Sequence, residues 1–191
     1  MLALVILLVL VVLVVLWVIG AYNRLVSLKN QVANAWKQID VQLKRRHDLI
    51  PNLVNTVKGA MDFERSTLEA VISARNKAVN ATGVAQTAKA EGELTQALGR
   101  LFALTEAYPT LKATGNVAQL QEELTSTENK IGFARQLYND TATQYNTAQA
   151  TFPTLLVVGL AKAAPAELWQ IADDTERAVP TVDLSSTKPA P

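Results

Sequence analysis

Residues 2–19 read LALVILLVLVVLVVLWVI, eighteen apolar residues without a charge, a Gly or a Pro. As a helix rising about 1.5 Å per residue, the run covers roughly 27 Å, and with Gly20 and Ala21 it nearly matches the ~30 Å hydrocarbon core of a bilayer. A polar side chain held there would carry a desolvation cost, and the run contains none. A secretory signal has a basic start, a shorter apolar centre and a small-residue cleavage site. Here no Lys or Arg precedes the run, and its exit is Gly20-Ala21-Tyr22-Asn23-Arg24. The reading is an uncleaved anchor; a secreted body released by cleavage is the alternative. Trp17 and Tyr22 suit the interfacial belt at the exit side, and ordinary packing is the competing reading for both.

Working outward, cations cluster directly after the run. Residues 21–60 hold seven Lys or Arg against two Asp, whereas residues 61–191 hold eleven cations against fifteen acids. By the positive-inside rule the N-terminus lies outside and the body in the cytoplasm. The basic region fits anionic headgroups and fits a solvated helix face equally well. The body of about 170 residues is long enough to bury one core. With no Cys there is neither a disulfide nor thiolate chemistry, and a single His, His47, supplies a histidine-based metal site or triad poorly.

From Tyr22 to about Phe152 the chain reads as helix. Helix formers dominate, Pro falls only at Pro51, Pro109 and Pro153, and no period-2 pattern persists. The first helix continues out of the membrane through Leu25, Leu28, Val32, Ala35, Ile39 and Leu43. A turn is expected at Arg46–Leu49, with Asp48 as an N-cap and Pro51 in the first turn of a second helix. That helix would carry Leu53, Val54, Val57, Met61, Leu68, Val71, Ile72 and Arg75, and stop at Asn80-Ala81-Thr82-Gly83. A third runs over about 84–107 with Leu94, Leu98, Leu101, Phe102 and Thr105 inward, and Tyr108-Pro109 breaks it. The fourth, about 117–150, repeats Val117, Leu120, Leu124, Ile131, Ala134, Tyr138 and Tyr145 at nearly seven residues, the coiled-coil mark of shallow packing. Phe152-Pro153 ends it.

The predicted fold is all-α: an N-terminal transmembrane helix continuing into an elongated antiparallel four-helix bundle. The divisions are 2–20 as transmembrane anchor, 21–153 as helical bundle, and 154–191 as an apolar segment with an irregular tail. Within the last, Leu155–Ala164 (LLVVGLAKAA) is too short to span. Packing on the bundle, lying on the membrane and touching a neighbouring subunit all suit it.

Two polar clusters stand out. The first is Asp40–Asp48, in which Asp40 and Lys44 are spaced as a helix pair and Arg45 and Arg46 suit phosphates or carboxylates. The plainer reading pairs those arginines with acids of other helices, such as Glu64, Glu128 or Asp140. The second surrounds Glu128, Asn129, Arg135, Tyr138, Asn139 and Asn146 beside the apolar stripe of the fourth helix. Buried Glu and Arg cost several kcal/mol unless paired, so an inter-helix polar network that fixes register explains them economically. The candidate interaction residues are therefore Asp40, Lys44, Arg45, Arg46, Asp48, Glu128, Asn129, Arg135, Tyr138 and Asn139. No E-x-x-H pair, phosphate-cradling Gly loop, nucleophile elbow or zinc spacing occurs, so no catalytic, metal or cofactor residue is assigned. The basic residues are not interleaved with aromatics as single-strand nucleic-acid binders require, so no nucleic-acid partner is expected.

The strings Tyr22-Asn23-x-Leu25-Val26, Val32-x-x-Ala35-Trp36-x-x-Ile39-Asp40-Val41-Gln42-Leu43-Lys44-Arg45-Arg46-x-Asp48-Leu49-Ile50-Pro51-Asn52-Leu53-Val54 and Val57-Lys58-Gly59 resemble the LemA family. So do Tyr108-Pro109-x-Leu111-Lys112-Ala113, Leu120-Gln121-x-x-Leu124-x-x-Thr127-Glu128-Asn129, Ala134-Arg135-x-x-Tyr138-Asn139, Tyr145-Asn146 and Phe152-Pro153. The resemblance covers about 22–153. It implies a bacterial single-span protein of the inner membrane with a helical-bundle domain and an undefined molecular activity. A similar, magnetosome-associated branch has been linked to membrane assembly. The sequence departs from the family pattern in its more aliphatic tail after Phe152-Pro153 and at Ala60-Met61-Asp62-Phe63-Glu64.

The expected function is a non-enzymatic, membrane-anchored scaffold whose partners are the lipid bilayer and either a second copy or another membrane protein. The alternative is a ligand-binding or enzymatic bundle that uses the basic turn 44–48 with Glu128 and Arg135.

Overall fold

The structure is a computed structural model that describes residues 1–58, 64–108 and 115–170. Its elements are α1 (Leu2–Lys58), α2 (Arg65–Asn80), α3 (Val84–Ala107) and α4 (Gly115–Ala150), followed by a 3-10 turn at Thr154–Val157. There is no strand among the described residues. α1 is one helix of 57 residues, roughly 85 Å long. Its first sixteen residues are all exposed, and it contains the chain's one candidate membrane-spanning segment among the described residues.

The turn expected at Arg46–Leu49 does not form. The inward stripe Ile39, Leu43, Arg46, Ile50, Leu53, Val54, Val57 keeps its three- and four-residue steps straight through it, so packing holds the backbone helical. Asp48 is not a cap; its carboxylate takes the Lys44 ammonium at 3.0 Å, in place of the expected Asp40–Lys44 pair. Leu53, Val54 and Val57 thus belong to α1, and α2 begins only at Arg65. Of the other residues expected on the second helix, Ile72 is exposed and Met61 lies outside the described residues.

Pro51 sits inside α1, where its missing N–H leaves the carbonyl of residue 47 without its helical donor. Arg75 of α2 makes good the loss by donating Nε–H to the His47 carbonyl at 2.8 Å. A proline that would interrupt an isolated helix is thereby absorbed through a contact with the next one.

α1 packs mainly on α4, and α2 mainly on α3. The α2–α3 hairpin turns at Gly83, whose φ of 79° is the left-handed region glycine enters freely. All four helices meet only at the end far from the apolar run. There Ile50, Leu53 and Val57 pack with Leu68 and Val71, Leu94, Leu98 and Leu101, and Val117 and Leu124. Lower down, α2 drops out and only the start of α3 reaches in, with Ala88 and Val84, while α1 and α4 continue through Ala35, Ile39, Leu43, Ile131, Ala134, Tyr138 and Ala142. The place the hairpin leaves is filled by the chain that follows α4. Val158, Ala161 and Ala163 pack near Leu25 and Tyr145, and Trp169 is buried in the middle cluster.

The Arg75 contact is testable by a double-mutant cycle. Arg75→Met should destabilise the wild-type chain by about 1–2 kcal/mol, the cost of an unsatisfied buried carbonyl. In the Pro51→Ala background, where residue 51 regains its N–H, the loss should shrink to a few tenths. Denaturant unfolding of the detergent-solubilised chain, followed by circular dichroism, reads both.

Candidate functional site

The sequence-predicted polar residues fall into two groups. The first is an ionic node on Arg46, whose side chain is 2% exposed. It is carried inward because Arg46 occupies the stripe position between Leu43 and Ile50. Its Nη1 lies 2.7 Å from Glu128 Oε2 on α4 and 3.6 Å from Glu91 Oε2 on α3, and its Nη2 donates to Thr95 Oγ1 at 2.8 Å. Glu91 is itself buried and takes the ring N–H of His47 on its other oxygen, at 2.6 Å. One guanidinium therefore ties three helices together. Arg46 does find Glu128, as the plainer sequence reading has it.

Sequence reasoning missed Glu91, Thr95 and the role of His47. The signal was available in the run Thr87, Ala88, Glu91, Leu94, Leu98, which places Glu91 on the buried side of α3. An acid on an apolar stripe needs a cation, and Arg46 is an arginine on an apolar stripe.

The remaining residues of the first cluster stay outside this node. Arg45 and Asp40 are exposed, Lys44 and Asp48 pair with each other on the surface, and Asn129 is exposed beside Glu128. Partial burial pushes the Asp40 carboxyl above its ordinary value.

The second group grips a strap of irregular chain, residues 163–170, that runs back along α4. Asn146 donates Nδ2–H to the Ala166 carbonyl at 2.8 Å and accepts the Ala166 N–H on Oδ1 at 2.7 Å. Asn139 holds Trp169 the same way, at 3.0 and 2.8 Å. The spacing is a match of two periods. Seven helical residues rise about 10.5 Å, and three extended residues span about 10 Å. Two asparagines two turns apart can thus satisfy every third residue of an extended chain.

Between them, the Tyr138 hydroxyl donates to the Glu167 carbonyl at 2.7 Å. Burial, and then the Glu167 carboxylate, push that hydroxyl's pKa up. Trp36 meets Tyr138 edge-on, with ring centroids 5.4 Å apart, and lies 6.0 Å from Trp169. The Arg135 guanidinium sits 5.9 Å over the Trp169 ring. The Tyr138 hydroxyl is thus satisfied by the strap. Tyr145 differs: its hydroxyl is buried without a hydrogen-bond partner, and burial pushes its pKa up.

A family model described as the LemA family matches residues 35–184, from the middle of α1 past the strap. The chain belongs to the LemA family. This LemA-family chain is 27% identical over 172 residues to Protein LemA of Metamycoplasma hominis, an alignment covering 89% of this chain and 76% of that one. It is 25% identical over 158 residues to Magnetosome protein MamQ of Magnetospirillum gryphiswaldense, covering 69% of this chain. Magnetosome protein MamQ 2 of Paramagnetospirillum magneticum is similar to the same extent. The chain spans 58% of the length of each MamQ protein. A LemA-type, membrane-associated protein with a helical bundle is what these findings establish.

Two outcomes follow for the two groups. Arg46→Met leaves Glu91 buried without its cation and should cost about 3–5 kcal/mol, whereas Glu128→Gln, at a half-open position, should cost about 1. Thermal unfolding in detergent reads the difference. Asn139→Leu removes two strap bonds and should speed amide exchange of Ala166 and Trp169 roughly 5- to 150-fold, while the four-helix end keeps its protection.

Proposed function

We propose that this protein is a single-span, non-enzymatic scaffold of the bacterial inner membrane, anchored by residues 2–19 with its N-terminus outside and its bundle in the cytoplasm. The orientation reading is supported by Arg24, Lys29 and Lys37 just beyond the apolar run. The scaffold reading is supported by what the polar side chains are doing. Arg46 pairs with both Glu91 and Glu128, and Tyr138, Asn139 and Asn146 are spent on the strap's backbone. These side chains are engaged in holding elements of the fold to one another, which is what a structural role asks of them.

The single observation that carries an interaction role is an apolar face left open on the α1–α4 pair. Phe133 is 74% exposed and Val41 63%, and together with Leu137 they line a groove of about 450 Å³ to which neither the α2–α3 hairpin nor the strap contributes. Exposed apolar side chains grouped in this way mark a surface that meets another protein. A second copy or another membrane protein is the partner.

A ligand-binding reading that uses Glu128 has a depression bordered by Arg46, Thr95, Glu128 and Asn129 in its favour. At about 210 Å³ it is smaller than the usual ligand pocket of roughly 300–1,000 Å³, and its arginine is already neutralised.

Crosslinking in native membranes should trap species larger than the monomer. Phe133→Asp combined with Leu137→Asp should abolish them while leaving the unfolding transition within about 0.5 kcal/mol of wild type, as surface substitutions do. A chain that stays strictly monomeric and crosslinks to no neighbour overturns the scaffold reading.

A further inference from the structure

Residues 152–160 carry four large apolar side chains that the bundle does not use. Phe152 is 75% exposed, Leu156 67%, Leu160 70%, and Leu155 is exposed with them. The segment is nevertheless fixed. Val157 is buried, and Val158 and Ala161 pack near Leu25, Tyr145 and Ala148. One side of the segment holds the bundle while the other faces outward.

The direction of that outward side follows from helix register. α1 and α4 run antiparallel, with Arg46 against Glu128 and Leu25 against Tyr145 and Ala148. Each step down α1 is matched by a step up α4. Phe152, four residues past Ala148, therefore lies level with Ala21, four residues before Leu25. The burial pattern agrees: Ala21 is buried and Val18 half-buried, while every described residue of α1 before Val18 is exposed. The turn after α4 touches α1 where the apolar run 2–19 ends.

We propose that Phe152, Leu155, Leu156 and Leu160 insert into the interfacial layer of the same bilayer that α1 spans. This rests on the reading of residues 2–19 as a span. It makes residues 152–160 a second lipid contact, which holds the bundle against the membrane instead of letting it swing on one helix. A span already in place makes the second contact intramolecular, so a few apolar side chains suffice where they could not bind a membrane alone. The charge pattern fits lipid as the occupant. No Asp or Glu occurs from Thr141 to Ala166, and the cations nearest this level in sequence are Arg24, Lys29 and Lys162, suited to anionic headgroups.

The chain has no Cys, so single reporters can be placed freely. Full-length Leu156→Cys, Leu10→Cys and Asn55→Cys proteins, each labelled with an environment-sensitive fluorophore, are reconstituted into vesicles of phosphatidylethanolamine and phosphatidylglycerol. Nitroxide lipids then quench from the headgroup level or from deep in the acyl layer. The expected result is headgroup-level quenching at position 156 roughly threefold or more above that at position 55, with deep quenching at position 10. Quenching at 156 no stronger than at 55, with position 10 still deep, overturns the second contact and leaves the span standing. An unquenched position 10 overturns the span and the contact with it. In the Leu156→Asp background, a reporter at Leu160→Cys should lose its quenching with the unfolding transition unchanged; retained quenching there also overturns the contact.

Discussion

A guanidinium removed from water is held only where opposite charge meets it, and Arg46 meets two carboxylates on two different helices. That requirement sets the register of α1 against α3 and α4. A slip of one helical turn, about 5.4 Å, would carry Arg46 past Glu128 and leave the buried Glu91 without its guanidinium. Hydrophobic packing alone is more forgiving, because the stripes of α1 and α4 repeat and a shifted register still buries Leu against Ile. The ion node picks one alignment among several that the apolar pattern would accept, and His47 on Glu91 fixes the remaining oxygen of the acid.

Much of the geometry below the node descends from that alignment. The four-helix core occupies the far end, because α2 is only 16 residues long and its hairpin ends well before α1 and α4 do. A two-helix pair cannot bury a stripe on its own, and the strap 163–170 completes it. The strap needs no secondary structure, since the asparagine amides and the Tyr138 hydroxyl satisfy its backbone directly. Trp169 brings the apolar surface, between Trp36 and the Arg135 guanidinium. The same alignment sets the level at which α4 ends relative to the apolar run.

Arg46, Glu128, Tyr138 and Asn139, all singled out in the sequence, are thus employed in holding the rod together, and two of the surfaces left over are apolar. One lies along the α1–α4 groove at Val41, Phe133 and Leu137; the other lies at the tip around Leu156. A rod with one open side and one open end is suited to joining a membrane to a neighbour.

The helix spans of α3 and α4, the stop at Gly83, the break before Phe152-Pro153 and the apolar run were all legible in the residues, because periodicity and helix punctuation are local properties. Leu94, Leu98 and Leu101 were placed correctly for the same reason. The turn at Arg46–Leu49 was misread because Asp48 and Pro51 carry a helix-start signature, and nothing local reveals that Arg75, 28 residues away, will satisfy the carbonyl of residue 47. Glu91 and the strap were hidden likewise: a buried acid and an irregular segment acquire meaning only beside the groups that pair with them. By itself the sequence determined which stretches are helical and which faces are apolar, since those follow from a residue and its neighbours within two turns. The tertiary structure alone decided where α1 ends, which register α4 takes and that residues 163–170 are gripped, because each depends on hydrogen bonds and charges brought together across tens of residues of chain.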